Sequence, residues 1–414
     1  MRATKDSGFE WIGIIPSEWG LSRIGQVYRL RNTKVSDTDY PPLSVTNKGI
    51  VPQLDTAAKT NAHDDRKLVK KGDFAINSRS DRRGSCGISN YDGSVSLINT
   101  ILAPLNEMNP GYYDWLFHTV QFGDEFYKFG HGIVDDLWTT GWQEMKKITI
   151  PTPPLPEQQR IADFLDAKCA EIDALVADIQ TQIDTLEQYK RSVITETVTK
   201  GLNPNAEMKD SGIQWVGEIP VHWPVHPVYS YYGERKNKNR LGKEDNLLSL
   251  SYGRVIRKDI NTNDGLLPES FNTYNIVEAG DIIIRPTDLQ NDKRSLRTGL
   301  VKEHGIITSA YIDLCPLKQV DSRYFHFLLH AYDVMKVFYN MGNGVRQGLN
   351  YSEFSRLMVF EPPYDEQVAM ADYLQTKVTE VDAIIEQKKE QMAVLDAYKR
   401  SLIFEYVTGK KEVV

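Results

Sequence analysis

A mixed α+β fold built twice is what this 414-residue sequence predicts: two globular units joined by two long antiparallel coiled-coil helices, related by a pseudo-two-fold internal repeat. Three observations carry that expectation. KDSGFEWIGIIPSEW (Lys5–Trp19) returns 204 positions later as KDSGIQWVGEIPVHW (Lys209–Trp223), identical at nine of fifteen positions. A Pro-Pro-x-x-Glu-Gln sequence stands at Pro153 and again at Pro362. After each comes a stretch of about forty residues without Pro or Gly, apolar at nearly every seventh position. A repeat unit this long, present twice, is a duplicated set of domains and not a solenoid.

Each copy repeats its landmarks in the same order. After the KDSG…W…IP…W opening comes VKKGDFAINS (Val69–Ser78), echoed by VEAGDIIIRP (Val277–Pro286). A Gly-Asp turn feeding a β-branched apolar run reads as a loop entering a buried strand. A small-residue loop follows, GHGIVDDLW (Gly130–Trp138) and GNGVRQGLN (Gly342–Asn350). The proline pair then starts a helix, since Pro is tolerated in a first turn.

In the first helix Leu165, Ile172, Ile179, Leu186 and Val193 fall seven apart. In the second stand Leu374, Val381, Lys388, Leu395 and Leu402, with Lys388 the departure. A further stripe adds Leu175, Val176 and Ile183, then Ile384, Ile385 and Met392. Seven-residue spacing over this length argues for coiled-coil packing, and at ~1.5 Å per residue each helix runs roughly 60 Å. Lys168, Gln182, Tyr189 and Glu196 match Lys377, Gln391, Tyr398 and Glu405. They are expected on the seam, where polar residues cost stability but fix register. Gln182 and Gln391, mid-helix, are expected close to the axis of the pair. Two copies on one chain favour intramolecular pairing. Gly201-Leu202-Asn203-Pro204-Asn205 joins the first helix to the second KDSG, and Thr408-Gly409-Lys410-Lys411 follows the second helix. The repeat is cyclic in logic, so the end of the second helix is expected near the first KDSG.

Composition is ordinary for a globular protein, 41% apolar and 25% charged. No apolar run approaches the ~18 residues of a membrane helix, and the N-terminus has no signal-like segment. Cys86, Cys169 and Cys315 are scattered, which fits a reduced, cytoplasmic chain and suggests no zinc site.

The combination W-x-G-x-I-P-x-x-W, Gly-Asp strand, Pro-Pro-x-x-Glu-Gln and a long helix with Tyr-Lys-Arg-Ser near its end (Tyr189–Ser192, Tyr398–Ser401) resembles the specificity subunit of Type I restriction–modification systems. The resemblance covers nearly the whole chain; each motif alone is weak, and their duplicated order is specific. It implies a non-catalytic subunit that reads double-stranded DNA. It implies target-recognition domains at 1–155 and 201–364, with spacer helices at 156–200 and 365–414. Each domain would read one half of a split site, asymmetric here because the two copies differ. The helices would dock two modification subunits, which carry S-adenosylmethionine and methylate adenine, and restriction subunits can join. Two readers on such a spacer suit successive turns of duplex, about 34 Å apart or a multiple.

The net charge of −7 sits mostly in the helices: nine acidic against five basic residues over 156–200, and nine against seven over 365–411. Basic runs lie in the globular parts, above all Arg235, Lys236, Lys238, Arg240, Lys243, Arg254, Arg257 and Lys258. Such runs suit phosphates, although a solvated surface loop is the plainer reading of one alone. Base edges are read by Arg, Lys, Asn, Gln, Ser and Thr, and three segments per copy supply them. The loop after the Gly-Asp strand offers Asn77, Ser78, Arg79, Arg82 and Arg83, then Arg285, Thr287, Gln290, Asn291, Lys293 and Arg294. The small-residue loop offers His131 and Trp138 (with Asp135 and Asp136), then Asn343, Arg346 and Gln347 (with Asn350). Strand-edge segments offer Thr46, Asn47 and Lys48, then Ser251, Tyr252 and Arg254. Trp11, Trp19, Trp215 and Trp223 are expected to be buried anchors, not stacking platforms.

Catalytic readings fail. Glu361-Pro362-Pro363-Tyr364 resembles an amino-methyltransferase motif, but its first position is wrong and copy one reads Thr152-Pro153-Pro154-Leu155. His326 and His330 have helical metal-site spacing but lie in an aromatic run without the accompanying Glu. Gly342, Gly344 and Gly348 do not make a nucleotide loop. No metal or cofactor is expected on this chain. The competing reading is a coiled-coil adaptor binding only protein.

Overall fold

The computed structural model describes residues 2–53, 63–132, 138–260, 270–287, 289, 296–341 and 348–413. It separates into two compact units, Met1–Gln180 with Lys389–Val414, and Thr181–Lys388. Two helices dominate, Leu155–Lys200 and Tyr364–Val407. Each unit holds part of both.

The first unit begins with a hairpin, Thr4–Asp6 against Ile14–Pro16. Its main sheet is antiparallel, in the order Cys86–Ile88, Phe74–Asn77, Asn99–Pro104, Tyr28–Leu30. Phe74–Asn77 is buried throughout, as its unbroken apolar run predicts. The Gly-Asp step ahead of it has a defined job. Gly72 takes the left-handed conformation, φ +87°. Asp73, 1% exposed, accepts the Lys70 amide at 2.8 Å and an ion pair from Arg31 Nε at 2.6 Å. Helices Pro110–Phe117 and Val120–Lys128 cover the sheet, capped by Asn109 and Thr119 side chains. A cluster of Tyr28, Phe74, Tyr113, Phe117, Phe122 and Phe126 fills the core between them.

The second unit repeats this design. Its hairpin pairs Met208–Asp210 with Glu218–Pro220, and its main sheet runs Tyr232–Glu234, Ile312–Pro316, Ile282–Ile284, Thr298–Leu300. Gly280 has φ +98°. Asp281 accepts the Glu278 amide and Arg235 Nε, each at 2.8 Å. Asp321 caps the helix Ser322–Val334.

The doubled opening is a mount. Trp19 and Trp223 are buried, and their indole nitrogens donate to Glu157 (2.9 Å) and Glu366 (3.0 Å), the Glu of Pro-Pro-x-x-Glu-Gln. The adjoining Gln158 and Gln367 each donate to a carbonyl of the proline pair, Pro153 or Pro362. Each also accepts the amide of a helix-cap residue, Asn109 or Asp321. The other two tryptophans correct the anchor expectation: Trp11 is half-buried against Phe122, and Trp215 is 40% exposed.

Within the first unit the two helices run antiparallel, with Phe164 and Tyr406 rings 4.4 Å apart and Lys399 donating to Asp173 at 2.6 Å. Within the second, Lys190 donates to Asp382 at 2.8 Å. Leu165, Ile172, Leu374 and Val381 are buried, and Ile179, Leu186 and Leu395 half-buried. Gln182 is half-buried and accepts from Lys388, the residue that breaks the apolar spacing. Three expectations are corrected. Leu175 and Ile384 are exposed, at 54% and 41%. Lys168, Tyr189, Glu196 and Tyr398 are exposed, not on the seam, while Lys377 is half-buried. Gln391 is exposed as well. The second packing line runs instead through Cys169, Val176 and Ile183, and through Val378, Ile385 and Met392. These lie four residues beyond the first line, and that 4-3 alternation is the coiled-coil pattern.

The cyclic expectation holds within the first unit. Lys410 Nζ donates to Ile12 O at 2.5 Å, and a Cβ on Gly409 would collide with Pro16 and Trp19. In the second unit Gly201 packs on Trp223 in the same way. Tyr112 Oη donates to Val407 O (2.8 Å) and Tyr324 Oη to Val198 O (3.2 Å), so each helix end is received by a tyrosine.

Candidate nucleic-acid interface

In each unit the buried Gly-Asp strand delivers the chain to a loop at one edge of the main sheet. In the first unit the loop leaves at Asn77 and returns at Ser85, whose carbonyl accepts the Asn77 amide at 2.8 Å. In the second it leaves at Arg285 and returns at Arg297, closed by the same bond at 2.8 Å. Strand register makes Ser85 and Arg297 equivalent, since Cys86 pairs with Ile76 and Thr298 with Ile284.

The small-residue segment joins that edge in both units. Thr140 N donates to Ser78 O at 3.0 Å, and Thr139 bridges both Arg79 and His131. Leu349 N donates to Pro286 O at 3.0 Å. The strand-edge hairpins approach from the other side. Leu43–Thr46 and Gly49–Pro52 bring Gly49 onto Gly87, where any Cβ would clash. Leu248–Ser251 and Arg254–Arg257 bring Gly253 against Leu296. The three predicted segments therefore converge in each unit. A cleft of about 370 Å³ opens beside the second loop, lined by Lys236, Pro286, Tyr311, Asn350 and Tyr351 among others.

Individual residues divide into outward and inward groups. Asn47, Lys48, Arg79, Arg82, Arg83, His131, Lys236, Tyr252, Arg254 and Thr287 are exposed. Tyr252, 88% exposed with φ +45°, stands at the hairpin tip in a conformation that bulky residues seldom adopt. Trp138, Ser251 and Arg285 are half-buried. Asn77 and Ser78 are buried; Asn77 accepts the Arg79 amide and Ser78 shares a 2.9 Å bond with Thr100. Thr46 closes its own turn on Gly49 O. Gln290, Asn291, Lys293, Arg294, Asn343, Arg346 and Gln347, with Asp135 and Asp136, lie outside the described residues.

Several members of the second unit's basic run are ion-paired. Arg235 is held by Asp281, which raises its pKa, and matches the Arg31–Asp73 pair of the first unit. Lys236 pairs with Glu234, Arg254 with Asp382 and Arg257 with Glu303. Lys238 turns onto Thr273 O, and burial lowers its pKa. Beside Arg235, Asp313 is 1% exposed without a hydrogen bond to either oxygen, and burial pushes its pKa up to about 8. Register places Ile101 there in the first unit.

Residues 16–185 match the family model for the type I restriction modification DNA specificity domain. Over that stretch the chain is similar to type I restriction–modification specificity subunits. It is 25% identical over 349 residues to the type I restriction enzyme MjaVIII specificity subunit of Methanocaldococcus jannaschii, spanning 78% of this chain and 76% of that one. Its MjaX counterpart from the same organism is 25% identical over 276 residues, 65% of this chain, and the match spans only 61% of that relative. Solved structures share the fold. A chain from a study of complex assembly and conformational transition of the type I R-M system superposes with TM-score 0.72 at 13% identity, covering 96% of this chain and 99% of that one. The HsdS subunit of Thermoanaerobacter tengcongensis gives 0.51 at 14%, covering 96% and 98%. His326 and His330 lie on the helix Ser322–Val334, and burial lowers their pKa values to about 3 and about 4. No group of three metal-ligating side chains occurs among the described residues.

Sequence reading missed three residues at the loop bases, Tyr127, Arg297 and Tyr339. The 212-residue spacing relating Gly130 to Gly342 also relates Tyr127 to Tyr339 and Tyr112 to Tyr324, and that signal was available.

Proposed function

We propose that this chain is a non-catalytic type I restriction–modification specificity subunit that reads a split, asymmetric site on double-stranded DNA, one half-site through 1–155 and the other through 201–364. One observation carries the reading. Both units close the loop and join the small-residue segment to it through equivalent backbone hydrogen bonds, yet fill that edge with different side chains, Asn77-Ser78-Arg79 against Arg285-Pro286-Thr287. A shared frame with unlike contents suits two readers of unlike sequences. The helices 156–200 and 365–414 act as spacers and as docks for two modification subunits, with restriction subunits able to join. Supporting the dock, each unit exposes large apolar side chains on its helices: Leu175, Val394 and Tyr398 in the first, Tyr189 and Ile384 in the second. S-adenosylmethionine is held by the modification subunits and not by this chain.

The test is coexpression with the modification subunit and long-read sequencing for methyladenine. Exchanging residues 1–155 for those of a relative changes one half of the methylated motif and spares the other. If both halves change, or neither, the division of labour is wrong. Methyl transfer by the purified chain alone would overturn the non-catalytic assignment.

A further inference from the structure

The two units fasten the first turn of the recognition loop in related but unlike ways. In the first, Tyr127 is 2% exposed and donates from Oη to Asn77 O at 3.2 Å, the carbonyl where the loop departs, with Arg82 O at 3.5 Å. The Arg83 guanidinium stacks over its ring at 5.2 Å. In the second unit the equivalent Tyr339 accepts at Oη from Lys336 Nζ at 3.1 Å and also from Arg297. Arg297, fully buried, stands between: Nε donates to Tyr339 Oη at 3.2 Å, and Nη1 donates to Thr287 O at 2.6 Å and Arg285 O at 3.4 Å. Its guanidinium lies 5.1 Å from the Tyr339 ring centre.

The difference follows loop length. The first loop closes over eight residue steps, Asn77 to Ser85, where a tyrosine spans the gap directly. The second closes over twelve, Arg285 to Arg297, on a bond of the same length, and there the longer Arg297 side chain ties the Arg285 and Thr287 carbonyls. Arginine supplies five donors in a fixed fork, so one side chain ties two loop carbonyls to the tyrosine. A buried guanidinium is costly without partners, so these contacts hold loop and tyrosine in one arrangement.

We propose that Tyr127 in the first unit, and Arg297 with Tyr339 in the second, are positioning residues that set the base preference of their own half-site without touching DNA. This rests on the two-reader function proposed above. Moving a loop base shifts every exposed side chain on it, and a displaced base contact loses its discrimination.

The test uses the full complex with its modification subunits and compares Tyr127→Phe, Tyr339→Phe and Arg297→Lys by methyladenine sequencing, with thermal melting alongside. Tyr127→Phe lowers the ratio of correct to single-mismatch methylation about tenfold at the half-site that follows residues 1–155, and leaves the other ratio unchanged. Tyr339→Phe and Arg297→Lys do the reverse. A merely structural role lowers total methylation without altering either ratio. Unchanged ratios in Tyr127→Phe and Tyr339→Phe, or equal falls at both half-sites, overturn the proposal. If Arg297→Lys does not fold, Tyr339→Phe alone decides the second unit. A wild-type complex methylating no split motif would instead defeat the underlying function.

Discussion

Glu157 and Glu366 occupy equivalent seats, and their replacement by Ala separates two contributions. In the first unit Glu157 accepts the Trp19 indole at 2.9 Å and receives both guanidinium nitrogens of Arg2, at 2.6 and 2.7 Å. Arg2 and Glu157 side chains are only 19% and 10% exposed. Glu157→Ala strands a buried indole N–H, which costs about 1–3 kcal/mol, and removes charge-assisted bonds worth about 1.5–3 kcal/mol. Allowing for the retained Arg2–Glu18 contact, the total is about 3 kcal/mol. In the second unit Glu366 accepts the Trp223 indole, but its other partner is His222, 47% exposed, where solvent leaves about 0–1 kcal/mol. Glu366→Ala therefore costs about 2 kcal/mol. Hydrogen exchange read by mass spectrometry over Lys5–Trp19 and Lys209–Trp223 follows each mount separately. Exchange over the first segment accelerates about a hundredfold in Glu157→Ala, and over the second by several-fold less in Glu366→Ala. An equal or larger effect at Glu366 would refute the assignment of the excess to Arg2.

Gly409, at φ +69° and pressed on Pro16 and Trp19, tolerates no side chain; Gly409→Ala costs about 2–3 kcal/mol in urea unfolding. Gly201→Ala, with the Trp223 ring farther away, costs about 1 kcal/mol. Asp313 favours its protonated form in the folded chain, so the folded state binds the extra proton between pH 4 and pH 8 and stability falls as pH rises through that window. Asp313→Asn removes this slope and raises the melting temperature at pH 8 more than at pH 5, the shift about 1.4 kcal/mol per pH unit at most. His326, held neutral by burial, has the opposite sign: unfolded chains take up a proton near pH 6.5 that the folded chain refuses until about pH 3, so stability is lost on acidification. His326→Gln flattens the acid limb of a pH series of denaturation midpoints.

The repeat, the Gly-Asp strands and the long helices were legible because each leaves a local signature: a left-handed glycine, an unbroken apolar run, a seven-residue period. The phase of the seam was not. Leu165, Lys168 and Cys169 each head a line of period seven, and spacing alone does not say which neighbouring line turns inward. Leu175 and Ile384 look like core residues in sequence and are solvent-facing in the fold. The ion pairing of the basic run around Arg235 was hidden for another reason. Its counter-charges Asp281, Glu303 and Asp382 lie far along the sequence, so only the folded chain reveals the pairing. Asn77 and Ser78 have the right chemistry for base contacts, yet the first residues of a loop leaving a buried strand must satisfy its buried polar groups.

The receipt of Val407 by Tyr112, and of Leu402 and Val407 into the first core, has a consequence for how the chain is made. The second unit is continuous in sequence from Thr181 to Lys388, whereas the first is completed only by Lys389–Val414. Synthesis proceeds from the N-terminus at about 5–20 residues per second, so the first unit to emerge is the last that can close. Ile12, Trp19 and Tyr112 wait on the ribosome with part of their apolar surface uncovered, for roughly 15–80 seconds after they appear. Birth order and folding order are inverted, and the early-made half is the one that needs shelter while the later half matures.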